Sequence, residues 1–510
     1  MNKVILGIDI GTSSSKVIAF DQNLEILGET SNKYETIFPD NYKYEQDPDE
    51  WWNSTVSGIK KLIINLNLNQ KSILGIGVSS QAPTIVPVDS KGIPLRNAFL
   101  YSDIRSIEEF VEIKKYINEE ELVEITGNKL DPFFGLSKIF WMKKHELHLY
   151  KKTYKFLPAN SYINFKLTDI CSIDIATASL YQLLDISKKL WSKNLCNQLG
   201  LDLEKLPDIY YGGEIIGNIS KKAASVTGLP CGVPVIACAH DGAASALSAG
   251  IIKPGVVAEM NGTSTVLFTF LKKLNINTKF ILSSHILRDN YLFLSTINAT
   301  GGSLNWFKNN LYKEITKHTS DEIEYNLFKS MTKESSLSPP GSNGLVFLPY
   351  IYGERSPIWN PYAKGVFFGI NSSSSRSDFM RSIFEGTSFA VKHNIQSLED
   401  IGYKINEIRS VGGLTKNKFW NQIKADILGK PILIMKNSVG APFGNAIIVG
   451  KALNMFKDIF GIINNKVKIK EKYFPNFQNF RLYEKLFKVY KNIYINLKDD
   501  FIDLYNIYNK

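Results

Sequence analysis

The chain has 510 residues, of which 44% are hydrophobic and 21% charged, a globular composition with material for two or more domains. A net charge of +11 raises the question of nucleic acid, but the surplus is Lys spread along helical segments without a basic run, so that class is set aside. No stretch approaches the roughly 20 apolar residues of a membrane span, and Cys171, Cys196, Cys231 and Cys238 stand in no metal or redox spacing, as expected of free thiols in a reducing cytoplasm.

Lys3 and the apolar run after it echo a secretory leader, but Asp9 interrupts the run and no cleavage-like site follows. Val4 to Ile8 and Val17 to Phe20 are strand-like, and between them lie Asp9, Gly11, Thr12, Ser13, Ser14, Ser15 and Lys16. This predicts two antiparallel strands joined by a tight polar turn. Such a turn can aim N–H groups, hydroxyls and an ammonium at one anion, while a carboxylate beside it can hold Mg²⁺. Together these suggest handling of a nucleotide triphosphate; the plainer alternative is an ordinary Ser-rich turn. The spacing is neither the Walker phosphate loop nor the dinucleotide Gly-x-Gly-x-x-Gly.

Glu25 to Thr30 completes a three-strand meander. Asp47-Pro48-Asp49-Glu50 predicts a helix start, with Asp47 as N-cap, Pro48 in the first turn and Glu50 closing a capping box. Trp52, Val56, Ile59 and Ile63 form its apolar face. Ile73 to Val78 is a buried strand, left by Ser79-Ser80-Gln81-Ala82-Pro83; Thr84 to Val88 and Ala98 to Tyr101 are further strands of a mixed sheet. Residues 104 to 230 read as mainly helical, with Trp141 as a core anchor. The strand Val235 to Ala239 ends in His240-Asp241-Gly242, followed by a small-residue helix. An acid at a strand's carboxyl end is where α/β folds place their chemistry; a simple helix N-cap is the alternative for Asp241.

A second hairpin follows: Val256 to Met260, a tight Asn261-Gly262 turn, and Thr263 to Phe270. Each half thus opens with a strand, a Gly/Ser/Thr turn and a strand, which implies two related α/β domains lending one hairpin each to a shared cleft. Gly301-Gly302 precedes a helix with Trp306; Gly344 to Leu348, Ile408 to Val411 and Ile432 to Met435 are strands; Arg376 to Asp400, Phe419 to Leu428 and Ala441 to Leu453 are helices. The Lys- and aromatic-rich segment from 478 onward reads as an amphipathic helix packed on a domain.

Over roughly residues 3–455 the chain resembles the FGGY carbohydrate kinases, within the actin/Hsp70-like ATPase superfamily. Gly365-Val366-Phe367-Phe368-Gly369-Ile370, seven residues, then Asp378-Phe379-Met380-Arg381-Ser382-Ile383-Phe384-Glu385 follow the family's second signature; Lys138 and Trp141 follow the core of its first, with Gly135 where Pro, Ser or Thr is usual. Tyr352-Gly353-Glu354-Arg355-Ser356-Pro357 and the Gly412-Gly413 segment look most like xylulokinases. The resemblance implies an α/β fold of two actin-like (ribonuclease H-like) ATPase domains, with mixed sheets flanked by helices and an active-site cleft between them. The expected division is a sugar-binding domain over 1–245, a nucleotide-binding domain over 246–455, and a helical extension over 456–510.

By the same resemblance, Asp241 is the general base that deprotonates the sugar hydroxyl and Asp9 the Mg²⁺ carboxylate. Thr12, Ser13, Lys16, Gly262 and Thr263 hold the β- and γ-phosphates of ATP, Gly301 and Gly302 let the nucleotide approach the backbone, and Gly412, Gly413 and Asn417 take the adenosine. Gln81, Asp103 and Asp241 are the sugar candidates; Asp103 falls in a Tyr-x-Asp-x-Arg element and could equally be a structural partner of Arg105. Where xylulokinases have Gln-Met-His-Gly, this chain has Gln81-Ala82-Pro83-Thr84, so the ketose-contacting His is replaced by Pro83, which has no donor. The expectation is an ATP- and Mg²⁺-dependent cytoplasmic kinase acting on a xylulose-like ketose or a polyol, with no nucleic-acid or membrane partner and with a second copy of the chain in a homodimer. The alternatives are a non-kinase actin/Hsp70-like ATPase and a catalytically inactive sugar sensor.

Overall fold

The computed structural model describes residues 3–40, 42–311, 321–436 and 439–508. The chain divides into two compact units, one of Met1–Ile252, Phe270–Phe293 and Val439–Val467, the other of Lys253–Thr269, Leu294–Ser438 and Lys468–Lys510. Neither unit is a single run of sequence.

The first unit is built on β1 (Val4–Ile10), β2 (Ser14–Asp21), β3 (Ile26–Lys33), β4 (Ile73–Ser80), β5 (Ile215–Asn218) and β6 (Pro234–His240), in the spatial order β5-β6-β4-β1-β2-β3. β1 runs parallel to β4 and antiparallel to β2, and β4 is parallel to β6. Central β1 is apolar at nearly every position because both its faces are covered, whereas edge strand β3 is largely polar and open to water. The helix Pro48–Asn65 begins as predicted at Asp47, but the Asp47 carboxylate accepts from the N–H of Asp49 rather than from Glu50. Its buried face is Trp51, Thr55, Ile59 and Leu62 with Trp52, while Val56 and Ile63 are only half-buried.

The helix Ala441–Ala452, remote in sequence, lies directly against β1. A Cβ added to Gly7 would stand 2.3 Å from the Pro442 carbonyl oxygen, so the sheet and this helix approach too closely for any side chain there.

A seven-stranded sheet carries β7 (Val256–Asn261), β8 (Thr265–Leu271), β9 (Ile281–Ser284), β10 (Tyr291–Ile297), β11 (Glu407–Gly412), β12 (Ile432–Met435) and β13 (Ile469–Tyr473), in the order β9-β10-β8-β7-β11-β12-β13. β7 pairs antiparallel with β8 and parallel with β11; β11 and β12 are parallel, and β13 closes the edge antiparallel. In spatial order and strand direction, β12-β11-β7-β8 matches β6-β4-β1-β2, while edge strand β13 follows β12 in the chain and β5 precedes β6. The repeat suggested by the two hairpins therefore extends to four strands of each sheet. Residues 469–473, expected to lie in a helical extension, form strand β13, and the terminal helix follows as Phe477–Tyr508.

The second signature proves structural. Ser375 and Asp378 form a reciprocal capping box at the start of the helix Arg376–Asp400. Buried Glu385 accepts from Arg381, the Gly341 N–H, Ser342 and Tyr483, and Asp378 accepts from Ser338 and Asn343. The two carboxylates thus fasten the 338–343 turn to the helix. Among the described residues no helix is long and apolar enough to cross a membrane.

Candidate active site

In the first unit, β1 and β2 meet in a turn whose tip residues Thr12 and Ser13 are exposed, while Ile10 and Ser15 beneath them are buried. The Gly11 N–H donates to the Ser14 carbonyl at 3.0 Å, and the Tyr34 hydroxyl donates to the Gly11 carbonyl. Register pairs Asp9 with Lys16 across the hairpin and with Ser79 on β4. The Ser79 hydroxyl donates to Asp9 Oδ1 at 2.7 Å. Burial raises the Asp9 proton affinity, and the Ser79 hydrogen bond and the Lys16 charge pull it back.

Asp241 is the first residue of the helix Asp241–Ser248, which follows β6 directly. It is not the N-cap. His240 caps the helix, its Nδ1 accepting from the Ala243 N–H at 3.2 Å. Because Nδ1 is an acceptor, the ring proton of this buried, neutral histidine is on Nε2, 3.3 Å from the Ser283 hydroxyl. The Asp241 carboxylate is half-buried and accepts from the Gly242 N–H at 2.7 Å. Burial, and secondly the charge of Asp9, push its pKa up to about 7. The fold therefore brings Asp9, 232 positions away in sequence, close enough for its charge to oppose the ionisation of Asp241.

Such a pair suits a hard cation, which prefers oxygen ligands and relieves repulsion between carboxylates. Among the described residues no cluster of three or more His, Cys, Asp or Glu is gathered, so a divalent ion here would take its remaining ligands from substrate and water, the habit of Mg²⁺.

Gln81 follows β4 and is buried; its N–H donates to the Ile10 carbonyl at 2.9 Å and its side-chain Nε2 to Gln46 Oε1 at 2.8 Å. Asp103 lies inside the protein. It is fully buried and accepts from the Tyr44 N–H at 2.8 Å and from Arg105 at 2.7–3.0 Å. Arg105 also binds Glu45, which pairs with Arg96. With its oxygens engaged inside the protein, Asp103 has nothing left for a sugar, and the structural alternative replaces the sugar-binding expectation.

In the second unit the hairpin tip is Gly262-Thr263-Ser264, all exposed, the same three residue types as Gly11-Thr12-Ser13. The turn is not a two-residue Asn-Gly hairpin: Asn261 pairs with Thr265 and is buried, its Nδ2 donating to Ser410 at 2.7 Å. Gly301 and Gly302 lie in the first turn of the helix Thr300–Leu311, their N–H groups donating to Gly262 O at 3.2 Å and Thr263 O at 2.8 Å. They brace the hairpin from behind. Gly412 ends β11 at φ 101°, and Gly413 opens a short 3₁₀ turn to Asn417, which caps the helix Lys418–Leu428. Asn417 Nδ2 also donates to Thr332 at 3.0 Å, so its amide is engaged inside the unit. In the matched strands, Gly412-Gly413 at the end of β11 stands where Ser80-Gln81 stands at the end of β4.

Sequence reasoning missed Ser79, Gln46 and Tyr34, which hold Asp9, Thr12 and Ser13, and Asn445, which holds Ser79 in turn. Ser79 was within reach, since parallel pairing sets it beside Asp9; the other three act across contacts that no local pattern announces.

Residues 4–248 match the N-terminal domain, and 258–453 the C-terminal domain, of the FGGY family of carbohydrate kinases. The chain is 30% identical to a xylulose kinase of Bacillus subtilis (strain 168), with 98% of each chain covered. Among solved structures, a xylulose kinase from Rhodospirillum rubrum is 25% identical, with a TM-score of 0.89 over 98% of this chain and 100% of that one. A gluconate kinase from Lactobacillus acidophilus, 24% identical, shares the fold at a TM-score of 0.92 over 99% and 100%. With both family domains matched in order and nearly the full length of both chains aligned, the protein belongs to the FGGY family of carbohydrate kinases and is an ATP-dependent sugar kinase.

Proposed function

We propose that the phosphate acceptor is a ketose of the xylulose type and that Asp241 takes the proton of the attacking hydroxyl. The observation that carries this reading is the pairing of Asp241 with Asp9: burial and the neighbouring charge move Asp241 to about 7, where a carboxylate can accept a proton at neutral pH and still release it. Asp9 would hold Mg²⁺, whose chemistry here is to neutralise phosphate charge. Thr12, Ser13 and Lys16 are the proposed phosphate-binding groups of the first unit, and Gly262 and Thr263 those of the second. Gly301 and Gly302 hold the second hairpin in shape, and the Gly412–Asn417 segment takes the adenosine, with the glycines leaving room for a flat base. Phosphoryl transfer asks mainly for positioning and charge compensation, which these groups supply. Gln81 and the Ala82-Pro83 turn form part of the sugar wall.

The xylulose assignment draws its support from the relatives that bear that name and align over their whole length. Gluconate is the second reading: relatives named gluconokinase match nearly the whole chain at 25–26% identity, and Pro83 takes from the sugar wall the donor expected for a ketose. The four cysteines are all unpaired, which supports a reducing cytoplasm as the working compartment. Measured ADP release on a panel of pentuloses, hexuloses, polyols and aldonates tests the reading. D-xylulose should give the highest kcat/KM; a tenfold preference for gluconate or a polyol would replace it.

A further inference from the structure

Gln46 lies on the strand Lys43–Gln46 and is buried, and it makes four side-chain hydrogen bonds. Its Nε2 donates to the Thr12 carbonyl at 2.6 Å and to the Thr36 hydroxyl at 2.9 Å. Its Oε1 accepts from Trp51 Nε1 at 3.0 Å and from Gln81 Nε2 at 2.8 Å. An amide offers two N–H donors and two acceptor lone pairs, so the capacity of this side chain is used in full.

The direction of each bond is forced by chemistry. The Trp51 indole can only donate, and the Thr12 carbonyl can only accept. Gln46 therefore has one orientation, with its carbonyl toward Trp51 and Gln81 and its NH₂ toward Thr12. Gln81 must in turn present its NH₂ to Gln46. That leaves Gln81 Oε1 as a buried acceptor with no partner among the described residues. The strand that carries the phosphate hairpin and the turn that leaves β4 are thus joined through one amide, anchored on Trp51, which is itself fully buried.

Building on the sugar and phosphate roles proposed above, we propose that Gln46 is a positioning residue that locks the Thr12 phosphate hairpin to the Gln81 sugar turn. Its two ends are chemically separable. The hairpin end consists of donors and the sugar end of an acceptor, so an isosteric change from amide to carboxylate disables one and spares the other. In Gln46→Glu the acceptor toward Trp51 and Gln81 remains, but an oxygen now faces the Thr12 carbonyl. In Gln46→Met the volume is kept and both ends are cut.

The test measures binding of a non-hydrolysable ATP analogue by calorimetry, KM for D-xylulose by ADP release, and the thermal midpoint, for wild type, Q46E and Q46M. Q46E should weaken the nucleotide analogue about tenfold, the equivalent of about 1.4 kcal/mol, while KM for the sugar stays within about twofold. Q46M should impair both. If both variants fold and keep wild-type constants, or if Q46E shifts sugar and nucleotide equally, the positioning role is overturned. If Q46E does not fold, Q46M decides alone: unchanged nucleotide binding overturns the role. Wild type that binds the nucleotide analogue but phosphorylates no ketose would refute the acceptor assignment alone, because the nucleotide arm reads the hairpin independently. Wild type that fails to bind nucleotide would overturn both.

Discussion

Asn445 donates from Nδ2 to the Ser79 hydroxyl at 2.9 Å and to the Ile8 carbonyl at 2.8 Å, reaching back 366 and 437 residues to the two strands that bear the Asp9 site. With that hydroxyl's lone pair occupied, its proton points to Asp9 Oδ1. The carboxylate is thus held by a chain that starts on the helix Ala441–Ala452.

Asn445→Ala should remove this support. It removes one of the donors to the buried Ile8 carbonyl, at about 0.5–1.5 kcal/mol, and frees the Ser79 hydroxyl, 3.3 Å from that carbonyl, to turn from Asp9 toward Ile8. Denaturant unfolding should show the loss of stability. The Mg²⁺ concentration for half-maximal activity should rise; an unchanged value would mean that Asp9 does not depend on this chain.

Asp241→Asn should lower kcat by about 10²–10⁴-fold, the usual range for a lost general base, with nucleotide binding retained. The same change should raise the thermal midpoint above pH 7. Asp241 binds its proton more tightly folded than unfolded, so its ionisation costs stability as pH rises from its ordinary value of 3.8 toward about 7. A variant that is both slower and less stable would contradict this account.

The pH profile follows from the same shift. The base form of Asp241 appears as pH rises through about 7, so kcat/KM should fall about tenfold per unit below that point. Bound Mg²⁺ would offset the Asp9 charge that contributes to the shift, so the acid limb should move to lower pH as Mg²⁺ is added. A limb fixed at one pH across Mg²⁺ concentrations would remove Asp9 as a cause.

Gly301→Ala should damage the second hairpin. A Cβ at this position would stand 2.5 Å from the Gly262 carbonyl oxygen, backbone that cannot swing aside. Overpacking of this kind costs about 1–3 kcal/mol, and KM for ATP should rise more than KM for the sugar. Equal changes in both would argue for general destabilisation.

Lys424→Met tests the second unit's core. Lys424 Nζ lies 2.6 Å from Glu259, and both side chains are almost wholly buried. Breaking the pair strands a buried carboxylate that Ser410 alone then serves, at about 3–5 kcal/mol. The double change with Glu259→Leu should recover much of the loss, as a double-mutant cycle in denaturant would show.

The hairpin with Asp9, Thr12, Ser13 and Lys16 was legible because its polar residues lie within ten consecutive positions between two apolar runs, which set its strands. Asp241 was legible as a strand-end acid, but its freedom from capping was not, because His240 takes that task through a ring nitrogen that propensity rules do not rank. Asp103 misled because its pattern is shared by ligands and ion-pair partners alike; only burial beside Arg105 separates them. Gly301 and Gly302 were read as room for a nucleotide; the sequence did not announce that a Cβ on Gly301 would also meet the Gly262 carbonyl, or one on Gly302 the Tyr352 ring. The support given by Asn445 could not be read at all, since a side-chain bond spanning most of the chain has no periodic trace.

The matched order of the two sheets has a consequence for how such an enzyme can change. On the roles proposed above, the acceptor turn after β4 and the segments after β7 and β11 belong to different sheets, so residues 82–84 can change while the latter stay as they are. Gln81 is the exception, because its side chain bonds Gln46, which also holds Thr12. Swapping the Ala82–Thr84 turn between relatives with Gln81 kept is then the economical route to a new catalyst.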